Sequence, residues 1–184
     1  MLHALQDRTR APRRRGFTLI ELVSVIVLVG ILSATAIPAL GRLDRARDAA
    51  LLNECDRLIR FAQSHANSTG SPTAARFDLD EQAVSVLAAT PDRVRVTPVL
   101  RSGTGQPITL PIISAFPGAS ITAAGLLTNP RSSGTIDLWF DFDGAPQQRS
   151  LSAEDPEELD AEFIIRVSSG DELRVQPSTG AIQR

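Results

Sequence analysis

From Leu22 to Leu40 the chain runs for 19 residues without a charged side chain, L-V-S-V-I-V-L-V-G-I-L-S-A-T-A-I-P-A-L. A helix of that length reaches roughly 29 Å, about the thickness of a bilayer's hydrocarbon layer, so the pattern predicts a membrane-spanning helix. Beyond Arg42 the spacing changes. Leu51, Leu52, Cys55, Leu58, Ile59, Ala62 and Ala66 recur every three or four positions, the mark of an amphipathic helix. Arg45, Arg47, Asp48, Glu54, Asp56, Arg57 and Arg60 fill its other face, with Glu54–Arg57 and Asp56–Arg60 at pairing distance. Asn67-Ser68-Thr69-Gly70-Ser71-Pro72 closes it with glycine followed by proline. One helix of about 50 residues is expected, half of it apolar all round and half two-faced.

The remainder reads as β-structure. Short runs rich in branched and aromatic residues predict strands at 74–79, 83–88, 94–100, 108–113, 135–142, 162–167 and 172–175. Turn clusters separate them, among them Thr90-Pro91-Asp92, Ser102-Gly103-Thr104-Gly105 and Asp143-Gly144. The run from Ile164 through Ser168-Ser169-Gly170-Asp171 to Leu173 is the clearest hairpin. Residues 114–134 show no period and are expected to form a loop. The fold class is therefore α+β: a long N-terminal helix packed through its apolar stripe on an antiparallel β-sheet or small β-sandwich.

Charge is unevenly spread. The chain has 19 basic residues, all Arg, against 21 acids, for a net −2. Five arginines (8, 10, 13, 14 and 15) crowd ahead of the apolar run, whereas residues 39–184 hold 14 Arg and 19 acids, a net −5. By the positive-inside rule the basic end stays in the cytoplasm and the rest lies across the membrane. An acidic balance there argues against a general electrostatic grip on nucleic acid.

The order of residues before the apolar run carries the most information. Arg14-Arg15-Gly16-Phe17-Thr18-Leu19-Ile20-Glu21-Leu22, with Pro38 further on, resembles the N-terminal signature of type IV prepilins and type II secretion pseudopilins. That resemblance implies cleavage by prepilin peptidase between Gly16 and Phe17, N-methylation of Phe17, and an assembly role for Glu21. A carboxylate inside an apolar span costs roughly 2.5–3.5 kcal/mol or more. The partner that the resemblance supplies is the α-amino group of Phe17 on a neighbouring subunit. Gly30 and Pro38 fall inside the helix and read as a soft point where it loosens when packed into a filament. The alternative is an ordinary signal peptide cut near Ala36, which has no use for Glu21.

The expected division is residues 1–16 as a cytoplasmic leader that is removed, 17–40 as the transmembrane and assembly helix, 41–69 as its periplasmic half, and 70–184 as a periplasmic β-rich domain. Leu58–Ala66, Thr73–Asp78, Ile136–Gly144 and Leu173–Ile182 are similar to the H-type (FimT-like) minor pseudopilins. The function so implied is that of a minor pseudopilin of a type II secretion system, anchored in the inner membrane by a single pass. Its partners would be other pilin or pseudopilin subunits, prepilin peptidase and an inner-membrane assembly platform. A minor type IV pilin, including a DNA-uptake pilin, is the alternative. The FimT-like DNA-uptake pilins tend to end in an Arg-rich tail, and here only Arg184 remains.

Little else in the chain offers chemistry. Cys55 is the only cysteine, and His65 is the only histidine after the leader, which holds His3. Neither a zinc site nor a nucleophile–base pair is expected, and no G-x-S-x-G elbow occurs. Asp141-Phe142-Asp143-Gly144 could open a calcium loop, but Gln147 and Gln148 do not continue the ligand pattern and a β-turn is the simpler reading. Glu154-Asp155-Pro156-Glu157-Glu158-Leu159-Asp160-Ala161-Glu162 reads as a solvated loop or short helix, with a docking surface for a basic partner as the rarer use. Asn67-Ser68-Thr69 matches a glycosylation acceptor pattern that carries no weight in a chain of bacterial character. No cofactor, metal or catalytic residue is expected, and a membrane-tethered hydrolase is the least supported reading.

Overall fold

The computed structural model describes residues 17–90, 95–148 and 157–184, apart from the side chains of 35–40 and 157. Two units divide the chain, Met1–Leu40 and Gly41–Arg184. Helix α1, Leu19–Thr69, runs through the boundary. It ends where Gly70 turns left-handed, φ +66°, and donates its N–H to the Ala66 carbonyl at 2.9 Å. The hydroxyls of Ser68 and Thr69 donate to the His65 carbonyl at 3.1 and 2.7 Å, so the last turn is satisfied before Pro72.

In the second unit α1 buries the stripe its spacing predicts: Leu51, Leu52, Cys55, Leu58, Ile59, Ala62 and Ala66 are all buried. The charged face pairs as expected. Arg57 reaches Glu54 and Arg60 reaches Asp56, the latter at 2.8 Å, and the Arg57 hydrogen bond holds the Glu54 carboxyl below its usual range.

Eleven short strands follow among the described residues, all antiparallel where paired. The first sheet is built from β1 (Thr73–Asp78), β2 (Ala83–Ala89), β3 (Val96–Pro98), β4 (Thr109–Pro111), β6 (Thr135–Phe140), β7 (Pro146–Gln148) and β8 (Glu157–Glu158). Its order is β3-β2-β1-β6-β7-β8, with β4 beside the other half of β2. The second sheet has the order β11-β10-β9-β5, from β5 (Ile121–Leu126), β9 (Phe163–Val167), β10 (Glu172–Val175) and β11 (Ile182–Gln183). A single short helix, α2 (Ile112–Ala115), follows β4. Both sheets share one apolar core with α1. Ala75, Phe77, Leu138 and Phe140 enter it from the first, and Phe163, Ile165, Val167, Leu173 and Val175 from the second. Phe77 and Phe163 meet across the join at 5.8 Å between ring centres.

Side-chain hydrogen bonds fix the layers against each other. The amide of Gln82, in the β1–β2 turn, acts like a strand segment toward β5. It accepts the Ile121 N–H at 2.9 Å and donates to the carbonyls of Ile121 and Leu79 at 3.0 and 2.8 Å. Gln82 holds φ +50° to do this, the only non-glycine residue described in that region. Asp48, buried in α1, accepts the Ser169 N–H at 2.6 Å and the Ser168 hydroxyl at 2.9 Å, clasping the β9–β10 turn.

Several expectations are corrected. Residues 114–134 are not one loop, because β5 lies inside them and pairs along β9 with a bulge at Thr122. Only Ile121 and Thr122 of I-T-A-A-G-L are β-branched, and burial against β9 overrides the weak propensity of the Ala-Ala-Gly centre. The run at 108–113 is a three-residue strand that passes into α2, and the run at 94–100 contracts to β3, with Val94 outside the described residues. The acidic run is not simply a solvated segment. Its Glu157 and Glu158 form β8, Leu159 is buried, and Glu162 accepts from Gln176 at 2.7 Å; residues 154–156 lie outside the described residues.

Candidate assembly and processing site

The described chain opens at Phe17, and Gly16 lies outside it. Phe17 is 80% exposed, and α1 starts two residues later. Thr18 and Glu21 close that start as a reciprocal cap. The Glu21 N–H donates to Thr18 Oγ1 at 3.4 Å, and the Thr18 N–H donates to Glu21 Oε2 at 3.5 Å. The spacing Thr18-Leu19-Ile20-Glu21 before an apolar run is the sequence signal for such a box, and the sequence reading, which paired Glu21 only with a neighbouring subunit, missed it. A carboxylate in the first helical turn also opposes the positive end of the helix dipole.

From Leu22 to Leu32 the large apolar side chains point outward on every side, each about half exposed or more. A helix apolar all round needs cover from lipid or from other protein. The Ser24 hydroxyl donates to the Ile20 carbonyl at 2.7 Å, which hides the polar group within the helix. Gly30 has open space around it: a Cβ placed there meets nothing within 4 Å. Pro38 lies within the helical range, but its side chain is outside the described residues. Among the described residues no helix carries an apolar window long enough to cross a membrane. The backbone of α1 is nevertheless continuous through residues 22–40, roughly 29 Å of helix.

The remaining candidates resolve into structure. Burial pushes the Cys55 thiol up to about 12, so it stays protonated at neutral pH. His65 stacks on Phe61 with ring centres 5.8 Å apart. Asp141–Gly144 is a tight turn between β6 and β7, closed by the Gly144 N–H donating to the Asp141 carbonyl at 2.8 Å. There Gly144 takes φ +80°, and Gln63 of α1 donates to its carbonyl at 2.9 Å. Among the described residues no group of three or more His, Cys, Asp or Glu could hold a metal ion.

With a helix followed by antiparallel sheets, the fold is that of an α+β, type IV pilin-like chain. Residues 11–37 match the model of the prokaryotic N-terminal methylation motif. That match marks a prepilin-peptidase substrate of the type IV pilin or pseudopilin kind, which associates with other pilin subunits, and it favours a structural subunit over an enzyme. No curated protein and no solved structure matches the chain.

Proposed function

We propose that this chain is a minor pseudopilin of a type II secretion system. Prepilin peptidase cuts it between Gly16 and Phe17 and methylates Phe17, and the product enters a short periplasmic filament. Residues 17–40 span the inner membrane once before assembly, with the basic end cytoplasmic, and residues 41–184 lie in the periplasm. In the filament the apolar helices bundle, and Glu21 of one copy meets the α-ammonium of Phe17 in the next. Gly30 and Pro38 let the packed helix loosen. The likeness of Thr73–Asp78 and Ile136–Gly144 to the H-type branch supports the subtype.

One observation carries this reading: exposed apolar surface concentrates in the segment that holds a lone acid. Of the 17 large apolar side chains exposed among the described residues, 12 lie between Phe17 and Leu32. The other five, Leu43, Leu100, Ile113, Leu127 and Phe142, are scattered singly over the second unit. The pairing of Glu21 with a neighbour's ammonium enforces register more than it adds stability. An unmatched charge in low dielectric costs about 3–5 kcal/mol, while a complete pair roughly breaks even.

Mass spectrometry of the protein from its native membrane tests the processing step. The expected product begins at Phe17 and carries one extra methyl group on its terminal nitrogen. A product beginning near Ile37, or an intact leader, ends the pseudopilin reading.

A further inference from the structure

A cleft of the second unit, with a volume of about 590 Å³, lies at one end of the seam between the sheets. That size falls among pockets that hold small ligands or peptide side chains. Its inner wall is apolar: Phe163 and Leu159 are buried, and Leu126 and Ile136 pack against the same core. Asn129, Arg131, Thr135 and Gln148 stand around the mouth.

The charges of the lining are not balanced within it. Asp137 is already committed to Arg76, which grips it with two hydrogen bonds of 2.7 Å. The Arg131 guanidinium has no hydrogen bond or ion pair to any described residue. Its backbone, in contrast, is fixed: Arg131 and Ala124 exchange both N–H···O bonds at 2.8 and 2.9 Å, tying the residue to β5. The Arg131 side chain therefore leaves a rigid base, and its five donors are free. Glu158 and Asp160, exposed on either side of Leu159, do not line the cleft.

An apolar hollow beside one unmatched guanidinium suits a ligand with the complementary halves. We infer that this cleft is a binding site for a carboxylate next to an apolar side chain, carried by an extended peptide segment of a partner protein. The fork of Arg131 takes the carboxylate through paired N–H···O bonds, a geometry that an ammonium cannot reproduce. Leu126, Ile136 and Phe163 take the apolar group. This site is independent of the processing and assembly chemistry at Phe17 and Glu21.

The test uses the full chain in phosphatidylcholine nanodiscs, with empty discs as background. Fluorescein-labelled Ala-Leu-Phe with a free C-terminal carboxylate and acetyl-Leu-Glu-Leu-amide are titrated by anisotropy, beside the amidated and Gln-containing controls. The expected result is saturable binding of at least one carboxylate peptide, at least tenfold weaker for its uncharged control and for Arg131→Gln. Arg131→Lys keeps the charge but loses the fork and falls between. Thr135→Phe crowds the mouth without altering Arg131 and weakens binding as well. Preference for the first peptide over the second assigns the carboxylate to a chain terminus, and the reverse assigns it to a side chain. Binding that Arg131→Gln leaves unchanged, equal binding of the uncharged controls, or no signal above empty discs overturns the inference. Unchanged thermal unfolding of the variants, followed by fluorescence of Trp139, the sole tryptophan, shows that the fold is intact.

Discussion

A carboxylate at position 21 can satisfy two donors that are not equivalent. Within its own chain it accepts the Thr18 N–H as the far half of a capping box. In the proposed filament it faces a neighbour's ammonium, which exists only after the leader is removed. A glutamine serves the first role nearly as well, since capping boxes accept either residue, but it carries no charge for the second. The two substitutions Glu21→Ala and Glu21→Gln thus separate geometry from electrostatics. Both are expected to be inserted and cut between Gly16 and Phe17, and both are expected to stay in the membrane fraction while the native chain enters sheared filaments. Assembly of Glu21→Gln at the native level, with Glu21→Ala absent, would assign the residue to helix capping and remove the ammonium pairing. The sequence made the acid conspicuous because no other charge lies between Phe17 and Gly41. Its local partner was equally legible in Thr18, but only to a reading that asks where the first helical N–H groups go.

Among elements, the amphipathic part of α1 is the one that periodicity located best, because each residue of its stripe meets the same core. The strands β1, β6, β9 and β10 were also visible, since alternation and branched residues coincide in them. β5, β7, β8 and β11 were not. Alanine, glycine, glutamine and glutamate, which hold no strand preference of their own, make up half of β5, most of β7 and all of β8, and β11 is only two residues long, so these segments extend because a neighbouring strand pairs with them. The β9–β10 hairpin also carries an ion-pair network that the sequence does not specify. Arg166 and Arg174 both reach Glu172, Arg174 extends to Glu162 at 3.4 Å, and the Arg166 hydrogen bond holds the Glu172 carboxyl below its ordinary 4.5. A depressed carboxyl stabilises the fold above its ordinary value and loses that contribution as pH falls through the folded one. The stability difference between the native chain and Glu172→Gln should then be constant from pH 7 to about 5.5 and shrink as pH falls below the ordinary 4.5 toward the depressed folded value. Denaturant midpoints measured across that range check it. Solvent around Arg166 and Arg174 keeps the difference under about 1 kcal/mol. A difference that persists unchanged at pH 3 would mean that Glu172 acts through packing rather than charge.

On the scale of the whole molecule, three of the described sheet edges in the second unit are poorly suited to strand addition. β3 and β4 carry Pro98 and Pro111 at the edge of the first sheet, its other edge is the two-residue β8, and Arg131 occupies the outer side of β5. Edge-to-edge pairing of sheets is thus disfavoured, and in the proposed filament the contacts between copies fall to α1. Both sheets lean on one helix stripe and Gln82 ties them together. Cys55 sits at the centre of that stripe, fully buried and with its thiol pushed up to about 12, so it reacts only when the core opens. Alkylation by iodoacetamide at pH 8 should accordingly report global opening, at a rate that follows the unfolding equilibrium when closing is fast. Gln82→Ala strips the partners from a buried stretch of Ile121 backbone, costing about 2 kcal/mol, which predicts roughly thirtyfold faster alkylation. Gln82→Gly loses the same bonds but relieves the left-handed backbone, and should be about 1 kcal/mol less damaging. If the sheets opened separately, Gln82→Ala would shift the Trp139 fluorescence transition and leave the alkylation rate where it was. Equal free-energy changes in the two measurements would mean that the helix stripe and the clasp at Gln82 join the sheets into one cooperative body.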